Sequence, residues 1–572
     1  MRFVTLFQES QRVIDRMDWL KATLLGGMAI VAWLLVIQWT HFQEAREPEL
    51  VQQSSYAIPS GEEFPSGVRV EGDSEVPVVL QPQMPVKTLA VLGVNDLVTV
   101  RNDVLEVVID TLGGDIIEVN LLRHLTKMAD DGGQPFQLLN RTAQNIYIAQ
   151  SGLVGPNGTD TRAGRPRFSA ASTYYDFSDG NDLLNVDLTF YQEGVKLVKR
   201  FSFSRTGYDI AVEYQINNGT SQDWSATFYG QIKRDSHAPT VSSAGVRPYL
   251  GAALREEEKN FAKHDFSDMQ EEKVEGSIVG GWVAMVQHYF ISAWIPPSGD
   301  QNQYSLRKLP GKDVYLMGFT GQQLTVLAGD SGNYVAQFYV GPKDQSKLSE
   351  LAEYLDLTVD YGFLWMLAKP IFFSMKWIHD VIGNWGWSII LLTLGIKIVL
   401  YPLSATSLKS MAKMRNLQPE MARLKELYGD DRQKMSQELM GLYKKEKVNP
   451  AGGCFPMLLQ MPVFLSLYWV LLESVEIRHA PWIFWIQDLS AKDPYFILPL
   501  VMGASMLLMQ KMQPMPTDPM QAKVMQIMPI AFTFFFMVFP AGLVLYWTIN
   551  NLLSMAQQWY VNRQLLAGGK GK

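Results

Sequence analysis

Cysteine is almost absent from this sequence of 572 residues, which contains only Cys454. A single thiol cannot close an intrachain disulfide, so any exported part of the chain has to fold on its hydrophobic core alone. The same scarcity excludes a metal site built from several cysteines. The sequence also contains no glycine-rich phosphate loop, no metal-ligand spacing and no nucleophile-elbow motif. We therefore expect neither a cofactor nor a metal.

Aspartate and glutamate are missing from five long, mainly apolar runs, which are residues 22–39, 385–403, 455–472, 495–510 and 524–562. An apolar run of about 20 residues can cross a bilayer as a helix. The last run is long enough for two such helices, separated near Pro540. The first follows several basic residues and precedes no small-residue cleavage site, which predicts an uncleaved signal anchor. Six membrane spans are therefore expected.

Positive charge is distributed unevenly, although the formal net charge of the chain is −7. That net charge argues against a dedicated nucleic-acid-binding protein. The segment between the second and third spans carries ten lysines and arginines, whereas the loop after the third span carries only Arg478 and Lys492. Loops rich in lysine and arginine stay in the cytoplasm, so both termini and this basic segment are expected there. Residues 43–384 are then expected on the outer side.

A further apolar run at residues 363–378 would reverse this orientation if it crossed the membrane. Lys369 and Lys376 lie seven residues apart and give a helix in this run one polar stripe. Pro370 further disfavours a spanning helix. We expect an amphipathic helix that lies on the outer leaflet.

The region between the anchor and this helix has two parts. Residues 43–90 contain many prolines and few aromatic residues, which is typical of an extended, disordered tether. Residues 91–345 show alternating apolar and polar residues, as in LNVDLTFY and YDIAVEYQINN, with turn signals between the runs. This pattern predicts a large antiparallel β-sandwich. Its histidines His237, His264 and His288 show no spacing that places them in a shared catalytic site.

The basic segment, residues 404–453, has the spacing of a helical hairpin with its turn at Gly429. The apolar residues that recur every three or four positions are Met411, Met414, Leu417, Met421, Leu424 and Leu427 before the turn, and Met435, Leu439 and Leu442 after it. We expect Pro419 to bend the first helix. The basic residues, among them Lys409, Lys413 and Arg415, either only set the topology or also contact ribosomal RNA or anionic lipid.

Lys397 lies inside the second predicted span, in the stretch TLGIKIVLYPL. A charge near the centre of a span costs about 2.5 to 3.5 kcal/mol on insertion scales. No aspartate or glutamate in the apolar runs could neutralise it. The ammonium therefore has to reach water, either by extending to the nearby cytoplasmic surface or by facing a hydrated cavity. The spacing of the residues leaves both possibilities open.

Five stretches carry a resemblance to a known family: GNWGWSIILLTLGIKIVLYPL, MAKMRNLQPEM, YKKEKVNPAGGCFPMLLQMPVFLSLYWVL, APWIFWIQDLSAKDPYFILPLVMG and TFFFMVFPAGLVLYW. With them, essentially the whole chain resembles the YidC-type membrane protein insertases of Gram-negative bacteria. The resemblance implies a periplasmic β-sandwich related to sugar mutarotases, a core of five spans, a cytoplasmic hairpin, and a groove open to the cytoplasm and to lipid. It also implies a location in the bacterial inner membrane and a function as an insertase and chaperone, not an enzyme.

The resemblance further implies roles for single residues. Lys397 matches the one positive residue of the groove, which is usually arginine in this family, so the charge is kept but the planar guanidinium is lost. The polar groove-lining positions are Thr393 and Gln460, and the apolar client contacts are Met461, Phe464, Tyr546 and Trp547. The implied partners are nascent membrane proteins, the ribosome, the Sec translocon, the signal recognition particle pathway and the lipid bilayer.

Two other classes of function are alternatives to an insertase. A secondary transporter or channel would use Lys397 as a substrate site, but such carriers usually show intramembrane carboxylates and interrupted helices in repeated halves. A membrane-tethered carbohydrate enzyme would need an acid and a base that converge in the β domain.

The expected organisation is as follows: signal anchor 1–42, tether 43–90, periplasmic β-sandwich 91–345, connecting segment with interfacial helix 346–384, second span 385–403, cytoplasmic hairpin 404–453, third span 454–474, periplasmic loop 475–494, fourth span 495–511, cytoplasmic loop 512–523, fifth and sixth spans 524–562, and cytoplasmic tail 563–572.

Overall fold

The computed structural model describes residues 97–568, with gaps at 163, 178–179, 239–247, 430, 447, 449–454 and 514–518, together with residues 75 and 77. The predicted signal anchor and nearly all of the predicted tether lie outside the described residues, as do the first six residues of the predicted sandwich and the last four of the tail.

The described part of residues 97–342 consists mainly of strands, as its alternating pattern predicts. The strands are β1 (Leu97–Arg101), β2 (Leu105–Asp110), β3 (Asp115–Leu125), β4 (Pro135–Arg141), β5 (Ile146–Val154), β6 (Ser169–Ala170), β7 (Tyr174–Asp176), β8 (Leu183–Gln192), β9 (Val195–Ser204), β10 (Asp209–Asn218), β11 (Trp224–Arg234), β12 (Gly251–Leu254), β13 (Ala262–His264), β14 (Val274–Val279), β15 (Val283–Val286), β16 (Phe290–Ile295), β17 (Gln301–Lys308), β18 (Tyr315–Val326) and β19 (Ser331–Pro342).

These strands form two sheets. One has ten strands in the order β14-β17-β18-β11-β5-β4-β3-β2-β1-β7, and the other has nine in the order β13-β12-β15-β16-β19-β10-β9-β8-β6. Inward-facing residues of both, such as Val107 and Leu121 from the first and Leu197 and Phe201 from the second, share one apolar core. The predicted antiparallel pairing is wrong at one edge, because β1 runs parallel to β7 with Thr99 opposite Tyr174.

Helices make up most of the chain after the sandwich. The helices are α1 (Asp268–Glu271), which lies within the β region, and then α2 (Gln345–Leu351), α3 (Trp365–Ile382), α4 (Trp385–Val399), α5 (Tyr401–Asn416), α6 (Gln418–Tyr428), α7 (Arg432–Lys445), α8 (Phe455–Glu473), α9 (Ile497–Lys511), α10 (Pro519–Phe536) and α11 (Ala541–Gly568).

α3 is the helix expected to lie on the outer leaflet. It buries Ala368, Phe372 and Met375 against the helical core and leaves Trp377 exposed. Lys369 forms an ion pair with Asp356 at 2.7 Å. The helix itself is therefore present with two distinct faces, and its position at a membrane surface stays a prediction.

The second predicted span does not form one straight helix. α4 ends at Val399, and α5 begins at Tyr401 with its axis turned by 71°. Pro402 explains the break, since proline has no backbone N–H to donate and its ring clashes with the preceding turn, so it is tolerated only in the first turn of a new helix. The helix therefore breaks before residue 403, and the predicted end of the span at that residue stays a prediction.

Length and composition give limited support for membrane spans. Among the described residues, no single helix is both long and apolar enough to cross a bilayer, whereas the bent pair of α4 and α5 together meets these criteria. α9 and the part of α10 at Ala522–Phe536 are shorter apolar helices. The expected number of six spans stays a prediction.

The basic segment contains three helices where two were expected. Pro419 lies in the first turn of α6, so a new helix starts there and no bent helix passes through it. α6 packs against α7, which is capped by Asp431, whose side chain accepts hydrogen bonds from backbone N–H groups of the first turn. Tyr443 donates to the Met421 sulfur at 3.8 Å, but Leu427 is 62% exposed, so the predicted apolar seam is wrong at that residue.

One apolar core joins the helices to the β-sandwich. It contains Ile389 of α4, Leu467 of α8 and Leu543 of α11 together with Trp282 and Ile291 of the nine-stranded sheet region. The sandwich is therefore packed directly on the helical part of the chain.

Lys199 is a buried charge at the centre of the sandwich. It lies on β9 of one sheet, and its ammonium donates to the carbonyl oxygens of Gly113 at 2.9 Å, Gly114 at 2.8 Å and Ser151 at 2.9 Å, all in the region of the other sheet. An ammonium has three donors, so this arrangement uses them all. Asp115 lies next to these carbonyls and pairs with Arg165. Lys199 therefore connects the two sheets through the core.

We expect Lys199→Met to lower the free energy of unfolding of the sandwich by about 2 kcal/mol or more, because buried carbonyls lose a charged donor. Hydrogen exchange of the β9 amides in the full-length protein, followed by mass spectrometry, measures this local stability. Lys196→Met is the matched control, since Lys196 is exposed on the same strand. Equal protection of β9 in Lys199→Met and in the wild type would contradict the role given to Lys199.

Candidate functional site

Lys397 lies in the last turn of α4 and is 5% exposed. Its Nζ donates to the hydroxyl oxygen of Ser554 on α11 at 2.7 Å. The Ser554 hydroxyl in turn donates to the carbonyl of Asn550, one helical turn earlier, at 2.7 Å. Among the described residues, no carboxylate forms an ion pair with Lys397. The buried ammonium is therefore held by a neutral oxygen.

A cavity of about 330 Å³ lies beside this lysine. Six residues that the sequence predicts as site residues line it: Lys397, Gln460, Met461, Phe464, Tyr546 and Trp547. They come from α4, α8 and α11, which are far apart in the sequence. The packing of three helices therefore brings the predicted groove residues together.

An amide pair crosses the cavity between two helices. Gln460 of α8 donates through Nε2 to Oδ1 of Asn550 on α11 at 2.9 Å. Asn550 is thus in contact with Gln460 through its side chain and with Ser554 through its carbonyl. This places a connected set of polar groups on the same side as the Lys397 ammonium.

The apolar side of the cavity is formed by an aromatic cluster. The rings of Phe464 and Trp547 meet edge to face with centroids 4.5 Å apart, and Phe464 and Tyr546 stack at 6.2 Å. Phe532 of α10 extends the cluster, with its ring 6.4 Å from that of Trp547. Met461 is 46% exposed and so presents its thioether side chain at the surface. The cavity therefore has a polar side and an apolar side.

Thr393 does not take the predicted groove-lining position. Its hydroxyl donates to the carbonyl of Ile389 at 2.6 Å, the side chain is buried, and it is not among the residues that line the cavity. Threonine in a helix commonly satisfies its hydroxyl in this way, on the carbonyl four residues earlier. Thr393 therefore does not line this cavity, and its role at the groove stays a prediction.

Sequence reasoning missed the polar side of α11. The residues involved are Asn550, Asn551, Ser554, Gln557 and Gln558. They recur every three or four positions in NNLLSMAQQ, which is the spacing of one helix face, so the signal was present in the sequence. Asn551 donates to the Ser505 hydroxyl at 3.0 Å, and Gln557 donates to the Lys397 carbonyl at 3.4 Å. Because this run contains no charged residue, its polar face is not evident from charge alone.

The basic residues of α5 lie outside the cavity. Leu408 and Met411 of this helix line the cavity, whereas Lys409, Lys413 and Arg415 are exposed. The helix therefore presents an apolar face to the cavity and a positive face to its surroundings.

Two of the sandwich histidines contact separate partners in the described part of the chain. His264 contacts Glu256 at 2.9 Å, and His288 contacts the carbonyl of Leu472 on α8 at 2.9 Å. Burial lowers the pKa of His288, which keeps its ring neutral near pH 7. Within the described ranges, no group of three or more possible ligands is placed to hold a metal ion. These contacts give no support to a carbohydrate enzyme.

Comparisons with known proteins identify the family. The model described as YidC periplasmic domain matches residues 97–374, and the one described as 60Kd inner membrane protein matches residues 377–567. The chain is 52% identical to the membrane protein insertase YidC of Cellvibrio japonicus, over 96% of this chain and 99% of that protein. It is 50% identical to that of Stutzerimonas stutzeri, over 97% and 100%.

A crystal structure of an active YidC insertase also aligns with this chain. It covers 83% of this chain and 95% of the other at 19% identity, with a TM-score of 0.37. The extent and identity of the sequence matches confirm the expected function, insertion of membrane proteins, and give no support to a transporter or a carbohydrate enzyme. The chain belongs to the YidC family of membrane protein insertases.

Proposed function

We propose that the cavity beside Lys397 receives the polar flank of a nascent membrane protein during insertion. The observation that carries the proposal is the hydrogen bond of Lys397 to a hydroxyl, with no carboxylate paired to it in the described part of the chain. Among the described residues, only this neutral hydroxyl forms a hydrogen bond with the buried ammonium, which therefore keeps most of its attraction for an incoming anion. The 5% exposure of Lys397 favours a cavity over extension to the surface.

The polar side of the cavity takes the place of water for the incoming flank. Gln460, Asn550, Ser554 and Gln557 supply donors and acceptors beside the ammonium. A polar segment that moves along these groups crosses less hydrocarbon than one that enters the bilayer alone, and each unsatisfied backbone group in hydrocarbon costs several kcal/mol. The binding is expected to be weak enough to release the segment.

The apolar side of the cavity provides a path for the hydrophobic segment of the client. Met461, Phe464, Tyr546 and Trp547 present thioether and aromatic surface, which adapts to side chains of different shape. The client segment contacts these residues and then moves into lipid, where its own helix satisfies its backbone. No covalent step and no cofactor is part of this proposal.

The orientation in the inner membrane follows from the basic loops. The proposed topology has six spans, cytoplasmic termini, residues 91–345 in the periplasm, and a cytoplasmic segment at residues 404–453. The proposed partners are the ribosome, the Sec translocon, the signal recognition particle pathway and the surrounding lipid. The exposed Lys409, Lys413 and Arg415 support the contact with ribosomal RNA.

The first prediction concerns the charge of Lys397. We expect Lys397→Ala to insert a client with an acidic translocated flank about tenfold more slowly, since the loss of about 1.4 kcal/mol of attraction has that effect. Lys397→Arg should retain insertion, and Lys397→Glu should be slowest because like charges repel. Insertion is measured by protease protection in proteoliposomes that contain equal amounts of each variant.

Two controls separate charge from folding. A matched client with a neutral flank should be affected much less, and Lys511→Ala, which removes an exposed lysine at the end of α9, should insert both clients normally. Equal insertion of the acidic client by the wild type, Lys397→Ala and Lys397→Glu would refute the proposed role of the cavity.

The second prediction concerns the positive face of α5. Changing Lys409, Lys413 and Arg415 to glutamate should weaken co-sedimentation with ribosomes and reduce the dependence of the residual binding on salt, because fewer counterions are released. The control variant with Lys409→Arg, Lys413→Arg and Arg415→Lys keeps the charge and should preserve binding. If the glutamate variant binds with the wild-type affinity and salt dependence, the basic residues only set the topology.

A further inference from the structure

The last strand of the β-sandwich is joined to the helical part by a buried ion pair. Lys343 follows β19 directly, and its Nζ lies 2.8 Å from Oε2 of Glu473, the last residue of α8. Their side chains are 2% and 9% exposed. Lys343 also donates to the carbonyl of Thr358 at 3.4 Å. The pair therefore connects residues that are 130 positions apart in a region with little access to solvent.

Three further contacts join the sandwich to the same end of α8. His288 donates to the carbonyl of Leu472, the residue before Glu473. Arg478, just after α8, lies over the rings of Phe136 and Phe290, 5.9 Å and 5.7 Å from their centroids. This end of α8 is thus held by an ion pair, a hydrogen bond and cation–π contacts, all with the β domain.

A buried ion pair contributes little net stability but restricts geometry. Taking the two charges out of water carries a large desolvation penalty, which their attraction only roughly offsets. Removing one partner is strongly destabilising, because the other charge is left buried and unpaired. Replacing both partners by apolar residues is often neutral or stabilising. Movements of α8 that would pull Glu473 away from Lys343 are therefore strongly disfavoured.

We propose that Lys343 and Glu473 are positioning residues that hold α8 in place as a wall of the insertion cavity. α8 carries Gln460, Met461 and Phe464, and Phe464 lies about 13 Å along the helix axis from Glu473 at about 1.5 Å per residue. A shift at Glu473 therefore changes the contacts that Phe464 makes with α11. The proposal rests on the proposed function of the cavity and extends it to the end of the β domain.

Four variants separate positioning from stability: Lys343→Met, Glu473→Gln, the charge exchange Lys343→Glu with Glu473→Lys, and the apolar pair Lys343→Met with Glu473→Leu. Each single change should reduce insertion several-fold, and the charge exchange should restore part of the loss. The apolar pair should unfold at or above the wild-type temperature, yet still insert several-fold more slowly, because the directional contact is missing. Lys347→Met is the control, since Lys347 pairs with Glu350 on the surface.

The apolar pair gives the decisive comparison. If it is stable and inserts clients at the wild-type rate, loss of stability alone explains the single variants and the proposal is overturned. An exchanged pair that inserts no better than the single variants would also contradict it, since the attraction between the two residues would then be irrelevant.

A cross-linking assay measures the geometry without using insertion. In a Cys454→Ser background, Gln460→Cys with Asn550→Cys places one thiol on α8 and one on α11, at two positions whose side chains form a hydrogen bond in the wild type. Cross-linking by a short bifunctional maleimide should be several-fold slower when Lys343→Met is added. An unchanged rate would overturn the positioning role even if insertion falls. A slower rate with normal insertion would confirm that the pair positions α8 and would refute the proposed function of the cavity instead.

Discussion

The hydrogen bond between Lys397 and Ser554 is the interaction on which the proposed function of the helical part depends. It places a buried ammonium of α4 against a neutral group of α11, beside a cavity that α8 also lines. A carboxylate in place of Ser554 would neutralise the lysine and remove the proposed attraction for a client. The bend after α4, the polar face of α11 and the aromatic cluster around Trp547 all contribute to an environment in which this charge is buried without an ionic partner among the described residues.

Three buried lysines illustrate how the partner of a charge decides its use. Lys199 donates to three carbonyls and connects two sheets. Lys343 pairs with Glu473 and connects the sandwich to α8. Lys397 is bound to one hydroxyl and is the least neutralised of the three. The first two arrangements fit structural roles, and the third fits the attraction of an external anion.

The sequence predicted the parts of the fold that have a clear period. The alternation in residues 91–345 predicted the strands, and the break near Pro540 separates α10 from α11 as expected. It did not reveal the parallel pairing of β1 with β7, which depends on tertiary contacts, nor the new helices started by Pro402 and Pro419. The packing of the sandwich on the helices also could not be predicted, since Lys343 and Glu473 are separated by 130 residues and neither belongs to a motif.

In the site, the family resemblance led to Lys397, Gln460 and the aromatic residues, whereas the bond of Thr393 to its own helix and the polar face of α11 became clear only in three dimensions.

Entry of an acidic client flank into the space beside Lys397 can be measured through the accessibility of position 411, which lines the same cavity. In a Cys454→Ser background, a Met411→Cys thiol is exposed to a membrane-impermeant maleimide from the cytoplasmic side, with and without a stalled ribosome-bound client. We expect labelling of the empty insertase, strong protection by a client with an acidic flank, and weaker protection by a matched neutral one. Absence of labelling without a client, or equal labelling with and without the acidic client, would show that the flank does not enter this cavity.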